Sequence, residues 1–212
     1  MNIGIGWNPV KGLCPVGCDY CYARRIYNSF HYDSTIRFDA KEFHAVEKLK
    51  KPARIFVGST IELFGEWVPK DWIDAILEQA RSHSQHTFIF LSKRPERFRF
   101  FDFPDNCWTG VTITQENPTK YFRIEKLWEA NAPVHFISFE PLHSAIKPGV
   151  AFIFLNWVII GAETGNRKGK IAPKEEWIRD ILSFADDEEV PVFMKDNLPK
   201  FPHIRKRQEF PK

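Results

Sequence analysis

The sequence has no apolar stretch fit to cross a bilayer. Its most apolar run, Val150 to Ala162, is broken by Asn156 and stops short of the roughly 18 to 20 residues a membrane helix needs. The run reads as a buried strand, and no membrane partner is expected. Cysteine is scarce, with four in 212 residues. Met1-Asn2-Ile3-Gly4 lacks the basic flank and apolar core of a secretory leader, so a reducing cytoplasm is expected, where disulfides do not explain the thiols. Internal repeats and low-complexity linkers are also missing, and the fifteen prolines are scattered rather than gathered in a hinge. One domain over residues 1–195 with a basic tail at 196–212 is expected, and the length argues against two full domains. At 43% hydrophobic and 27% charged, the chain is not of disordered composition.

The net charge is only +3, yet residues 193 to 212 hold Lys195, Lys200, Arg205, Lys206, Arg207 and Lys212 against Asp196 and Glu209. The basic character is therefore local, and two readings stay open: phosphate binding or a solvated chain end.

Short β-branched or aromatic runs alternate with helical stretches, the pattern of βα units around a parallel sheet. Strands are expected at Ile3–Trp7, Arg54–Ser59, Thr87–Leu91, Cys107–Ile113, Val134–Ser138, Trp157–Gly161 and Val190–Lys195. Helices are expected at Asp39–Lys50, Lys70–His83, Pro118–Ala130 and Pro173–Asp186. Helical spacing puts Tyr121, Ile124, Leu127 and Trp128 on one face, and Trp177, Ile178, Ile181 and Leu182 on another. A complete eight-stranded βα barrel typically needs about 250 residues, so the expected fold is α/β, a partial (β/α)6 barrel with one extra strand. Chemistry in such folds gathers at the C-terminal ends of the strands.

Three of the four cysteines stand in Cys14-Pro15-Val16-Gly17-Cys18-Asp19-Tyr20-Cys21, directly after the first strand. Close-set thiols in a reducing compartment point to a metal. A structural zinc site takes four protein ligands and usually a second distant Cys pair, which this chain lacks; His31 or His44 would have to complete it. An iron–sulfur cluster on three cysteines instead leaves one iron open to a substrate or cofactor.

The C-x3-C-x-aromatic-C loop after the first strand of a partial barrel resembles the radical S-adenosylmethionine superfamily. The wider phrases Gly6-Trp7-Asn8-Pro9, Gly17-Cys18-Asp19-Tyr20-Cys21-Tyr22-Ala23, Phe64-Gly65-Glu66-Trp67-Val68-Pro69, Leu91-Ser92-Lys93-Arg94-Pro95 and Ser138-Phe139-Glu140-Pro141 resemble its small phage-associated three-Cys-motif family and, more distantly, spore photoproduct lyase. The resemblance implies that Cys14, Cys18 and Cys21 hold a [4Fe-4S] cluster whose open iron binds S-adenosylmethionine. It also implies an external electron donor of flavodoxin or ferredoxin type, and a 5′-deoxyadenosyl radical that abstracts hydrogen from a substrate.

By the same analogy Tyr20 packs against the cofactor, Lys93 meets its carboxylate and Thr112 its ribose. Where the superfamily usually has a Gly-Gly-Glu-like segment for the methionyl amine, this chain has Gly58-Ser59-Thr60. That role falls to backbone carbonyls there or to Glu62. Glu163 sits near the segment matching the adenine-contacting motif, one place early, and Glu140 and Glu163 are expected to face ribose or substrate. Tyr22 is the better-placed candidate for a radical relay. Cys107 begins its strand, some 15 Å from the end carrying Thr112 at about 3.3 Å per residue, and reads as a core thiol. Among the aromatics, Trp67 is the one expected over the rim as a base-stacking platform.

The leading expectation is a radical enzyme acting on a nucleotide, dinucleotide or short nucleic acid, of the kind that repairs a spore-photoproduct-type thymine dimer. The alternatives are radical modification of a peptide or metabolite, and a non-catalytic metal-dependent nucleic-acid-binding module.

Overall fold

Parallel strands covered on both faces read as near-continuous apolar runs, and the seven runs of this sequence form one parallel sheet. The computed structural model describes residues 3–149 and 152–211. Met1, Asn2, the Val150–Ala151 start of the most apolar run and Lys212 of the tail lie outside the described residues. In chain order the elements are β1 (Ile5–Trp7), β2 (Val10–Lys11), α1 (Tyr22–Phe30), β3 (Arg37–Phe38), α2 (Ala40–Phe43), β4 (Arg54–Val57), α3 (Lys70–Ser82), β5 (Thr87–Ser92), β6 (Cys107–Thr112), α4 (Thr119–Leu127), β7 (Val134–Phe139), β8 (Trp157–Ile160), α5 (Glu175–Asp187) and β9 (Val192–Met194). The sheet order is β1-β4-β5-β6-β7-β8-β9, curled into a half-barrel. β2 and β3 make a small antiparallel pair beside it.

Alternate residues of each strand face opposite ways. Phe88, Phe90, Val111, Ile137 and Val158 join α3, α4 and α5 in the larger core. Ile89, Phe136, Trp157, Ile159 and Phe193 fill the other, concave face. α5 buries Ile178 and Ile181 of the face expected of it, with Trp177 and Leu182 half-buried, and α3 buries Ile73, Ile76, Leu77 and Ala80. In α4, Ile124 and Leu127 are buried but Tyr121 points out. Lys120 takes the inward place, its stem in the core and its ammonium on Glu116 and the Lys147 carbonyl.

Two helix expectations change. Residues 39–50 do not form one helix but α2 and a separate 3-10 turn, Val46–Lys48. Phe43, Val46 and Leu49 repeat every three residues, the period of the tighter coil. α1 is unforeseen: Ala23 is its one buried residue, so it shows no buried apolar period.

The tail is not a solvated end. It returns antiparallel along β9, with Met194 N donating to Arg207 O and Glu209 N to Val192 O. Phe210 packs on Trp157 and Phe193 at centroid distances of 5.4 and 5.2 Å. Arg207 pairs with Asp186 and with Glu209, and Lys206 with Asp196, the last two acids belonging to the tail itself.

Candidate functional site

The three-cysteine loop leaves β2 and runs into α1. Cys21 caps that helix: its Sγ accepts the Arg24 N–H at 3.4 Å. Cys14 Sγ accepts the Glu62 N–H at 3.4 Å. Burial pushes the Cys14 thiol up, partly offset by the backbone bonds from Glu62 and Val16. Cys14, Cys18 and Cys21 line one cavity of about 120 Å³ with Gly58, Ser59, Thr60, Glu62, Lys93 and Thr112. Among the described residues no group of three or more His, Cys, Asp or Glu is disposed to hold a metal ion; the three thiols share a cavity without closing on a point. Three thiols on one loop, two already receiving N–H donors, are a donor set suited to an iron–sulfur cluster.

Gly58 turns the chain after β4 at φ 70, a left-handed conformation that favours glycine. The turn is held by Asn8, whose Oδ1 accepts from Ser59 Oγ (3.0 Å), Thr60 N (3.2 Å) and Thr60 Oγ1 (3.3 Å). Glu62 is buried beneath it. Its carboxylate accepts Ser92 Oγ at 2.6 Å, Lys93 N at 2.7 Å and Phe64 N at 3.2 Å, tying the loop after β4 to the loop after β5.

A second cavity, of about 380 Å³, is lined by Tyr20, Tyr22, Ser59, Lys93, Thr112, Glu140, Glu163, Thr164 and Lys195 among others. Phe56, Ser59, Leu91, Lys93 and Thr112 border both cavities, so the two adjoin at the C-terminal ends of the strands. Thr112 Oγ1 is buried there without a protein partner, as is Ser138 Oγ on the neighbouring strand; the two residues are in register.

A family model matches residues 3–205, nearly the whole chain. The chain belongs to the DUF5131 family of proteins of unknown function. No curated protein and no solved structure matches it. The candidate site of this DUF5131 chain lies at the C-terminal ends of its parallel strands.

The structure brings Cys14, Cys18, Cys21, Gly58, Ser59, Thr60, Lys93 and Thr112 to the smaller cavity. Tyr20, Tyr22, Glu140 and Glu163 join Ser59, Lys93 and Thr112 at the larger one. Tyr20 is packed edge-on against His143 at 5.3 Å, with Lys93 Nζ 6.0 Å from its ring; burial, then the neighbouring Cys18, holds its phenol well above the ordinary range. Tyr22 donates to Ser59 O at 3.2 Å. Glu163 is engaged by Arg167 through Nε at 2.7 Å and Nη2 at 2.8 Å, and by His143 Nε2 at 3.2 Å. Hydrogen bonds from Arg167 in the first place hold its carboxyl below the usual range.

Glu140 meets Lys195 at 2.6 Å. Its side chain lies over Gly161, where a Cβ would come within 2.9 Å of it. Lys195, Asn8 and His143 were not legible as site residues, because each acts through a partner far away in sequence; Arg167 stands only four residues from Glu163, a local spacing that went unread. One further expectation fails and one holds. Trp67 is half-buried against the core, its indole N–H buried and without a partner, so it is no exposed platform. Cys107 is fully buried, its thiol pushed up to about 12 by burial.

Proposed function

We propose that this chain is a radical S-adenosylmethionine enzyme acting on a nucleotide or nucleic-acid substrate. The observation that supports this best is the sharing of one small cavity by all three thiols of the C-x3-C-x2-C loop, next to a larger cavity rimmed by cations, carboxylates and an orphaned hydroxyl. Cys14, Cys18 and Cys21 would hold a [4Fe-4S] cluster, which supplies reductive cleavage of S-adenosylmethionine to a 5′-deoxyadenosyl radical when both are bound and an external donor of flavodoxin or ferredoxin type delivers the electron.

The chain's own residues would bind, orient and exclude water. Lys93 would pair with the cofactor carboxylate, and the free Thr112 hydroxyl would exchange a hydrogen bond with a ribose hydroxyl. The carbonyls and hydroxyls of Gly58-Ser59-Thr60 would face the methionyl amine, and Tyr20 would pack on the cofactor. Glu140 would meet the substrate from across the larger cavity, and Tyr22 would relay a hydrogen atom. Glu163 would set the wall by fixing Arg167 and His143. The substrate proposed is a thymine-dimer lesion in a dinucleotide or short DNA, and the reaction a lyase-type repair.

The test is anaerobic reconstitution with iron and sulfide, dithionite reduction with S-adenosylmethionine, and chromatography for 5′-deoxyadenosine. Brown protein that releases it, with both colour and product lost in Cys18→Ala, is the expected result. Colourless zinc protein without product, or cleavage retained in Cys18→Ala, overturns the proposal.

A further inference from the structure

Beside the larger cavity lies a surface of one chemical character. Residues 20–32 contain Arg24 and Arg25 and no carboxylate; residues 164–174 contain Arg167, Lys168, Lys170 and Lys174 and no carboxylate. The two segments touch. Arg25 Nη2 donates to Thr164 O at 2.9 Å, and a Cβ on Gly165 would lie 2.5 Å from the same guanidinium. Part of this charge is already paired: Arg167 with Glu163 at 2.7 Å and Asp19 at 3.5 Å, and Lys174 with Glu176 at 3.6 Å, while Asp33 pairs with Arg37 at 3.2 Å; Lys168 and Lys170 are left without an acid partner among the described residues.

On the same helix, Tyr22, Ile26 and Phe30 stand outward at four-residue spacing, 44%, 41% and 65% exposed, which makes one stripe. Tyr32, just beyond the helix, stacks on Phe30 with centroids 5.6 Å apart and planes 20° from parallel. Core packing does not account for this exposed pair of rings. Tyr22 and Thr164 are also walls of the larger cavity, so the aromatic stripe and the basic loop both start at its mouth.

Exposed rings beside Lys168 and Lys170, cations with no acid partner among the described residues, match a polyanion that also carries flat bases. An acidic protein would be met by the cations alone. We infer that α1 and the 164–170 loop form a docking track for a single-stranded nucleic acid, with bases on Phe30 and Tyr32 and phosphates on Lys168 and Lys170. The inference deepens the reading of the substrate as a nucleotide and rests on it for what enters the cavity; binding along the track requires neither cluster nor cofactor.

The test is fluorescence anisotropy of a labelled oligothymidylate of about eight nucleotides with the full chain, without cofactor. The variants are Lys168→Ala/Lys170→Ala and Phe30→Ala/Tyr32→Ala, all at exposed positions, with thermal melts to confirm folding. The charge pair is expected to lower the slope of log affinity against log salt by about 1.4, the share of two phosphate contacts on a single strand. The aromatic pair is expected to weaken binding about fivefold or more, the low end for one lost base stack, with the slope unchanged. A duplex of the same length should bind more weakly than the single strand. Wild-type affinity in either variant, or competition by polyglutamate equal to that by the oligonucleotide, overturns the track. Oligonucleotide binding that follows these expectations in a protein that never yields 5′-deoxyadenosine would sink the radical-enzyme reading and leave the track. Cofactor cleavage with binding insensitive to both variants would do the reverse.

Discussion

The Glu62 carboxylate accepts the backbone N–H of Lys93 at 2.7 Å, so a buried acid in one strand-end loop fixes where the next loop begins. With Ser92 Oγ on its other oxygen at 2.6 Å, Glu62 sets the floor of the thiol cavity. Glu62→Ala leaves these two donors, and the Phe64 N–H with them, without that acceptor. Hydrogen bonds to a charged group are worth about 1.5–3 kcal/mol each, so unfolding in urea should show a loss of about 3 kcal/mol. A loss below about 1 kcal/mol would mean that the carboxylate holds nothing.

Glu163 makes stability depend on pH. Its carboxyl is held below the ordinary range by Arg167 and His143, so between the native and unfolded values the unfolded chain binds more protons. The stabilisation is full above the unfolded value, about 4.3 for glutamate, and is lost as pH falls through the lower native value. Urea midpoints from pH 7 down to 3 should therefore fall more steeply for the wild type than for Glu163→Gln below about pH 5. Parallel curves would refute this.

Gly161 and Glu140 are expected to be coupled. A methyl at Gly161 meets the outer atoms of the Glu140 side chain at 2.9 Å and should swing that flexible carboxylate off Lys195, at a cost of about 1 kcal/mol, the low end for overpacking. In a double-mutant cycle the same Gly161→Ala change should cost less in a Glu140→Ala background. Equal costs in both backgrounds would show that the strain lies elsewhere.

Thiol labelling separates the cysteines. In folded, metal-free protein at about pH 8, iodoacetamide should modify Cys14, Cys18 and Cys21, which are partly exposed, and spare Cys107, which is buried with its thiol pushed up to about 12. Mass spectrometry should find the fourth adduct after denaturation. Early labelling of Cys107 would show that the sheet opens at that end.

The sheet was legible because buried parallel strands carry their signal locally: every expected strand is present with ends within two residues. α1 was not, since it starts from a cysteine rather than the usual Ser, Thr, Asp or Asn cap and exposes its aromatics. The thiols, Lys93, Thr112 and the two glutamates could be found because parallel βα architecture sends strand ends to one rim. Asn8 holding Ser59, Glu62 holding Lys93 and Lys195 meeting Glu140 could not. These are contacts across |i−j| of 51, 31 and 55 residues, and no local pattern records them. The tail's charges left phosphate binding and a solvated end both open, and nothing local showed that Arg207 reaches Asp186 or that Arg207 and Lys206 pair with the tail's own Glu209 and Asp196.

The return of the tail along β9 also bears on self-association. The last strand of an open sheet offers unpaired amides and carbonyls as a template on which a second copy can add a strand. The bonds from Met194 to Arg207 and from Glu209 to Val192 occupy that template, and Arg54 lies 3.7 Å over the Phe210 ring, clamping the covering segment from the far side of the half-barrel. The segment thus leaves no free template for edge-to-edge pairing along β9, while the concave face of the half-barrel stays open.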